Sequence, residues 1–177
     1  ASPFLQQLAT SAEAELQNIL TWWSSNMIDL QNGGFYGRID GDGTLRAEAD
    51  KSVILNTRIL WTFSAAARQT GKPEYRAVAE RAYDYLARHF LDEKEGGVFW
   101  MLDYRGNPVQ PKKQVYAQAF AIYALSEFYL LTRQQAALDK AQEIFWLIEQ
   151  YSRDKTKGGY FEAFAHDWSP LEDLRLS

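Results

Sequence analysis

Hydrophobic positions along the chain fall into two kinds of segment that alternate. From Ser52 to Gln69, apolar residues (Val53, Ile54, Leu55, Ile59, Leu60, Trp61, Phe63, Ala65, Ala66) occupy nearly the whole helical circumference, which predicts a helix buried on every side. The next segment, Glu74 to Phe90, keeps Tyr75, Val78, Ala79, Ala82 and Leu86 on one stripe, with Glu80, Arg81, Asp84 and Arg88 largely elsewhere. That period predicts an amphipathic helix with one face in water. Gln114 to Leu131 is again apolar all round, and Ala136 to Tyr151 carries a stripe of Leu138, Ala141, Ile144, Phe145 and Ile148. A first helix, from about Pro3 to Asn26, reads as an outer helix whose inner partner begins near Ser52.

A glycine pair followed by aromatic or apolar residues marks the same point in each cycle: Gly33-Gly34-Phe35-Tyr36, Gly96-Gly97-Val98-Phe99 and Gly158-Gly159-Tyr160-Phe161. The pairs are 63 and 62 residues apart, and a shift of 62 also sets Lys51 on Lys113, Val53 on Val115, Trp61 on Tyr123 and Asp92 on Asp154. One structural unit is therefore repeated. Short alternating segments follow the glycines, Phe35 to Ile39 with Thr44 to Ala47 and Val98 to Asp103 with Asn107 to Gln110, joined by Asp40-Gly41-Asp42-Gly43 and Arg105-Gly106-Asn107. This is hairpin turn chemistry. Inner helices ringed by outer helices, with hairpins at one rim, make an all-α fold: an α/α toroid, held as a single domain over residues 1–177. Six units at ~62 residues would need roughly 370 residues. The expectation is about half a toroid, whose open edge calls for a C-terminal half or for self-association.

Composition narrows the partners. A formal charge of −4 and a pI near 5.2 supply no basic stripe for phosphates, so neither nucleic acid nor an anionic membrane surface is an expected partner. No apolar run reaches the ~20 residues of a membrane span, and no secretory leader is legible at the N-terminus; the default compartment is the cytoplasm. The absence of cysteine removes disulfides, thiolate metal ligands and a cysteine nucleophile. Six Trp and ten Tyr suit stacking on sugar faces, although most aromatics fill cores.

Candidate chemistry is sparse. Arg58 stands in an almost wholly apolar helix, where a charge needs either a carboxylate from a neighbouring helix or a polar cavity. Tyr116 lies within a residue or two of one repeat from Asn56, so that both can point into one cavity; core packing is the alternative. Neither of the two histidines, His89 and His166, has an acidic residue placed for a triad or a metal site, and no metal site is expected. The Asp40 turn departs from the calcium-loop pattern. No nucleotide motif occurs. Glu162 and Asp167 form a weak paired-carboxylate candidate for glycoside hydrolysis.

Taken together, Gly33 to Arg38, KSVILNTRILWTF from Lys51, VYAQAFAIYALSE from Val115 and GGYFEAFAHDW from Gly158 resemble the cellobiose 2-epimerase branch of the N-acylglucosamine 2-epimerase family over the length of the chain. The resemblance implies an (α/α)6 barrel and epimerisation at C2 of the reducing-end glucose of a β-1,4-linked disaccharide through an enediolate, without cofactor. Arg58 matches the family arginine at the sugar oxygens near C1 and C2, and Tyr116 a tyrosine of the same pocket. The family's two catalytic histidines, the first in an Asn-Thr-His-type motif, lie further along than Ser177. The resemblance thus implies that this chain has substrate-binding residues and no catalytic ones, and that alone it is inactive. N-acylglucosamine 2-epimerase and mannose isomerase activities, and a non-catalytic carbohydrate-binding or assembly scaffold, are the alternatives.

Overall fold

Each inner helix begins where an extended pair of residues ends. In a computed structural model that describes residues 2–171, β1 (Lys51–Ser52) runs directly into α2 (Val53–Thr70), whose first turn is capped by the Ser52 hydroxyl accepting from the Ile54 N–H at 3.2 Å. Gly71 ends α2 in the left-handed region, at φ 70°. The second inner helix, α4 (Val115–Thr132), follows β4 (Lys113–Gln114) in the same way, with Arg133 at φ 59° in the place of the glycine.

The outer helices are α1 (Pro3–Asn26), α3 (Pro73–Tyr85) and α5 (Gln135–Leu147). Both α3 and α5 finish in a π-helical turn, Leu86–Phe90 and Ile148–Ser152. These turns are 62 residues apart, so the widened turn belongs to the repeat. The core lies between the layers, where Leu60, Phe63, Ala79, Leu86, Leu125 and Ile144 are buried.

The hairpins are shorter than the alternating pattern predicts. The first has the single bridge Ile39–Leu45, while Ile28–Phe35 closes the glycine turn before it. The second gives β2 (Met101–Leu102) and β3 (Pro108–Gln110), and β2 also pairs antiparallel with β1. Likewise β4 pairs with β5 (Ala163–Phe164) of the third hairpin. Every pairing to a helix-leading strand thus ties one repeat to the next along the rim.

Two expectations need correction. The inner helices are not buried on every side: Arg58 on α2 and Tyr116, Tyr123 and Leu130 on α4 are exposed. Apolarity all round a helix therefore reflects here a face left open. The first helix has the expected limits, but among its residues only Leu20 is buried. Its C-terminal half meets α2, and its Gln17 side chain accepts from Lys72 and Tyr75 at α3.

Candidate functional site

The rim is held by buried ion pairs that sequence reading missed. Asp29, four residues before the first glycine pair, takes the backbone N–H groups of Gln31 and Asn32 on one oxygen and Lys51 Nζ on the other at 2.8 Å. Lys51 also donates to the Gly33 carbonyl at 2.7 Å. One repeat on, Asp92 accepts from the N–H groups of Lys94 and Glu95, and Lys113 Nζ lies 2.5 Å from its other oxygen. Each pair pins a glycine turn to the strand that starts the next inner helix. Burial pushes the Asp29 and Asp92 carboxyls up, but the lysine and backbone hydrogen bonds outweigh it and hold both below the ordinary value. At Lys51 and Lys113 burial dominates instead, and their pKa values are lowered despite their aspartates. The signal was available: the aspartates recur with the glycine pairs, and the lysines recur at the repeat spacing.

Arg58, on the second turn of α2, is exposed and makes no ion pair among the described residues. This removes the buried-ion-pair reading, and with it the argument that a buried charge demands a function. Arg58 instead borders an open groove of about 400 Å³ between α1 and α2, with Ile19, Trp23, Leu55, Thr62 and Phe63 among its walls. A guanidinium there offers a planar fork of N–H donors beside apolar surface, a setting suited to the hydroxyl and carbonyl oxygens of a sugar.

Tyr116, on the first turn of α4, is 54% exposed and meets Phe120 edge-on at 4.9 Å. It does not line the Arg58 groove. The expected partnership of Tyr116 with Asn56 fails, because Asn56 is buried and its counterpart in the repeat is Gln118. Asn56 donates to the Ser52 carbonyl, whereas the longer Gln118 amide bridges both the N–H and the carbonyl of Val98, each at 2.8 Å. Gln118 thus fastens α4 to the segment after the second glycine pair, whereas the Asn56 bond stays at the start of its own helix.

The histidines stand apart. His89 stacks on Tyr85 at 4.5 Å with Nδ1 3.3 Å from the Gly106 carbonyl, while His166 is exposed in the third hairpin turn. Glu162 accepts from Gln114, and Asp167 accepts from the hydroxyl and N–H of Ser169, which lower its pKa. Glu162 is thus engaged with β4 and Asp167 within its own turn. Asp40 is bracketed by Arg38 and Arg46, each at 2.6 Å. No cluster of three or more His, Cys, Asp or Glu residues suited to a metal ion occurs among the described residues, and no described helix is long and apolar enough to cross a membrane.

Comparison with known proteins fits this architecture. A cellobiose 2-epimerase from Bacteroides fragilis is 52% identical over 159 residues, which is 90% of this chain and 41% of that protein. The structure of cellobiose 2-epimerase from Spirochaeta thermophila superposes with a TM-score of 0.92 at 37% identity, covering 98% of this chain and 44% of that one. A D-mannose isomerase structure, 24% identical, shares the fold with a TM-score of 0.83 over 92% of this chain and 41% of that one. The chain thus spans well under half the length of these proteins, and its helices make up about half of their (α/α)6 barrel. The family model of N-acylglucosamine 2-epimerase (GlcNAc 2-epimerase) matches residues 34–176, from the first glycine turn through both inner helices and into the third repeat. On that match, the chain belongs to the N-acylglucosamine 2-epimerase family.

Proposed function

We propose that this chain is the substrate-binding part of a sugar 2-epimerase of the cellobiose 2-epimerase kind, with Arg58 and Tyr116 as contacts to the sugar. The observation that carries the reading is the 52% identity to a cellobiose 2-epimerase over 90% of the chain. The exposed guanidinium of Arg58, unpaired among the described residues, supports it, because fixed positive charge stabilises an enediolate oxygen forming beside C2. Tyr116 adds a hydroxyl donor and a ring face on an exposed side chain. Removing and returning the C2 proton needs an acid–base pair with pKa values near neutrality. His89 is held against Tyr85 and Gly106 and His166 lies in a distant turn, so the reading assigns that pair to residues outside this chain. The remaining repeats of the barrel are the proposed partner.

Arg58→Ala is the test, made in a complete barrel in which this chain replaces the matching segment of the Bacteroides fragilis relative. Cellobiose epimerisation, followed by NMR at C2, should lose about 10²-fold or more in kcat/KM, the scale of one lost donor to a developing oxyanion. Unchanged turnover would remove Arg58 from the site. Reaction with N-acylglucosamine or free mannose in place of cellobiose would redirect the substrate assignment.

A further inference from the structure

The glycine turns share one hydrogen-bonding scheme except at a single nitrogen. In the second and third turns the first glycine donates its N–H to the carbonyl of the aspartate four residues earlier, Gly96 to Asp92 at 2.9 Å and Gly158 to Asp154 at 3.1 Å. In the first turn the Asp29 carbonyl is taken by Arg81 Nη2 of α3, while Arg81 Nε holds the Gly34 carbonyl at 3.0 Å. The Gly33 N–H is left with no well-formed hydrogen bond among the described residues.

The residue before the first glycine differs too. Glu95 and Lys157 precede Gly96 and Gly158, but Asn32 precedes Gly33, and this is the only Asn-Gly step in the chain. Asn32 is half-buried; its backbone N–H is held by Asp29, whereas its side-chain amide makes no hydrogen bond among the described residues. A carboxamide free to rotate thus stands beside a backbone nitrogen that neither a side chain on its own residue nor a hydrogen bond shields. The other asparagines lack this setting. Asn18, Asn26 and Asn56 lie in helices, where the next N–H is held in the helical ladder, and Asn107 precedes Pro108, which has no N–H.

We propose that Asn32 is a site of spontaneous modification, at which the folded chain converts its own asparagine to aspartate and isoaspartate and so loosens the first rim lock. The Gly33 nitrogen attacks Asn32 Cγ, and the new C–N bond closes a five-membered succinimide. The side-chain amide nitrogen leaves as ammonia, carrying the proton that Gly33 gives up. Water then opens the ring at either carbonyl. Opening at the backbone carbonyl gives isoaspartate, which adds one methylene to the main chain. That methylene falls between the Asn32 N–H held by Asp29 at 2.8 Å and the Gly33 carbonyl held by Lys51 at 2.7 Å. The turn can then no longer satisfy both ends of the Asp29–Lys51 pair at the start of α2. The inference rests on this turn alone and is independent of any sugar chemistry.

The 177-residue chain is aged in mildly alkaline buffer, folded and in parallel unfolded in guanidinium, and its asparagine peptides are followed by mass spectrometry. Isoaspartate is read by enzymatic methylation of its carboxylate. Asn32 should convert in the folded chain at no less than about one tenth of its unfolded rate, a barrier difference within ~1.4 kcal/mol. It should also convert ahead of Asn18, Asn26, Asn56 and Asn107. Stronger protection by the fold, or another asparagine converting first, would overturn the proposal. The isoaspartate form, separated by ion exchange, should melt about 4 °C or more below the fresh chain, as partial loss of a buried lock predicts. Asn32→Gln, whose longer side chain does not close the five-membered ring, should keep its melting temperature through the same ageing. Equal melting of the fresh and isoaspartate forms would overturn the loosening of the lock.

Discussion

Gly34 and Gly43 both hold positive φ, 61° and 85°, yet differ in what a side chain would meet. A Cβ on Gly34 would stand 2.6 Å from the Tyr85 ring; one on Gly43 meets nothing within 4 Å. Gly34→Ala should therefore cost about 3 kcal/mol in urea unfolding, and Gly43→Ala only the ~1 kcal/mol of left-handed backbone strain. Tyr85 itself has a buried hydroxyl with no partner, and burial, then the charges of Asp29 and Asp103, push its pKa up to about 12. Tyr85→Phe removes an unsatisfied group without changing the ring, and should raise stability by roughly 1 kcal/mol. A Tyr85→Phe variant less stable than the parent would show that the hydroxyl is satisfied in solution. The glycines were legible in the sequence because a turn requires them. The tyrosine that covers Gly34 was not, since it comes from a helix some fifty residues on and sits on that helix's buried side.

At the scale of elements, the rim depends on two buried Asp–Lys pairs rather than on its short strands. Asp92→Asn leaves the Lys113 ammonium buried without its counter-charge and should destabilise by about 3 kcal/mol near neutral pH. The pH dependence follows from the lowered aspartate pKa values. Above the ordinary value of 3.8 the contribution of Asp29 and Asp92 is fully present, and it is lost as pH falls below 3.8 through the folded values. Urea midpoints between pH 6 and pH 2 should fall less steeply in Asp92→Asn than in the parent; identical acid limbs would show that Asp92 does not contribute. Hydrophobic period and turn residues placed the helices well, because each helix buries a stripe its own sequence carries. The π-helical turns after α3 and α5 were missed, since the pattern of apolar residues continues through a widened turn.

Across the whole molecule, packing is concentrated in α2 to α5, and α1 extends beyond it. Phe4, Leu5, Leu8 and Leu16 are all exposed, so removing residues 1–16 should change unfolding free energy by no more than ~0.5 kcal/mol. A larger loss would mean that this helix finds cover in solution. The functional reading also belongs to this scale: purified alone, the 177-residue chain should give no epimerised cellobiose by NMR, and turnover above background would show that its own residues complete a site.

From the sequence alone came the repeat, the alternation of inner and outer helices, the hairpin rim and the family, because each is written in local spacing that needs no knowledge of distant contacts. Arg58 and Tyr116 were singled out there too, but their surroundings were not. Whether an apolar helix face is covered depends on which neighbours lie beside it, and that is a property of the assembled layers. Only the tertiary structure therefore turned Arg58 from a buried charge into an exposed one, separated Tyr116 from Asn56, and brought Asp29 and Asp92 to Lys51 and Lys113. The sequence states which positions are apolar; only the fold decides which of them remain open.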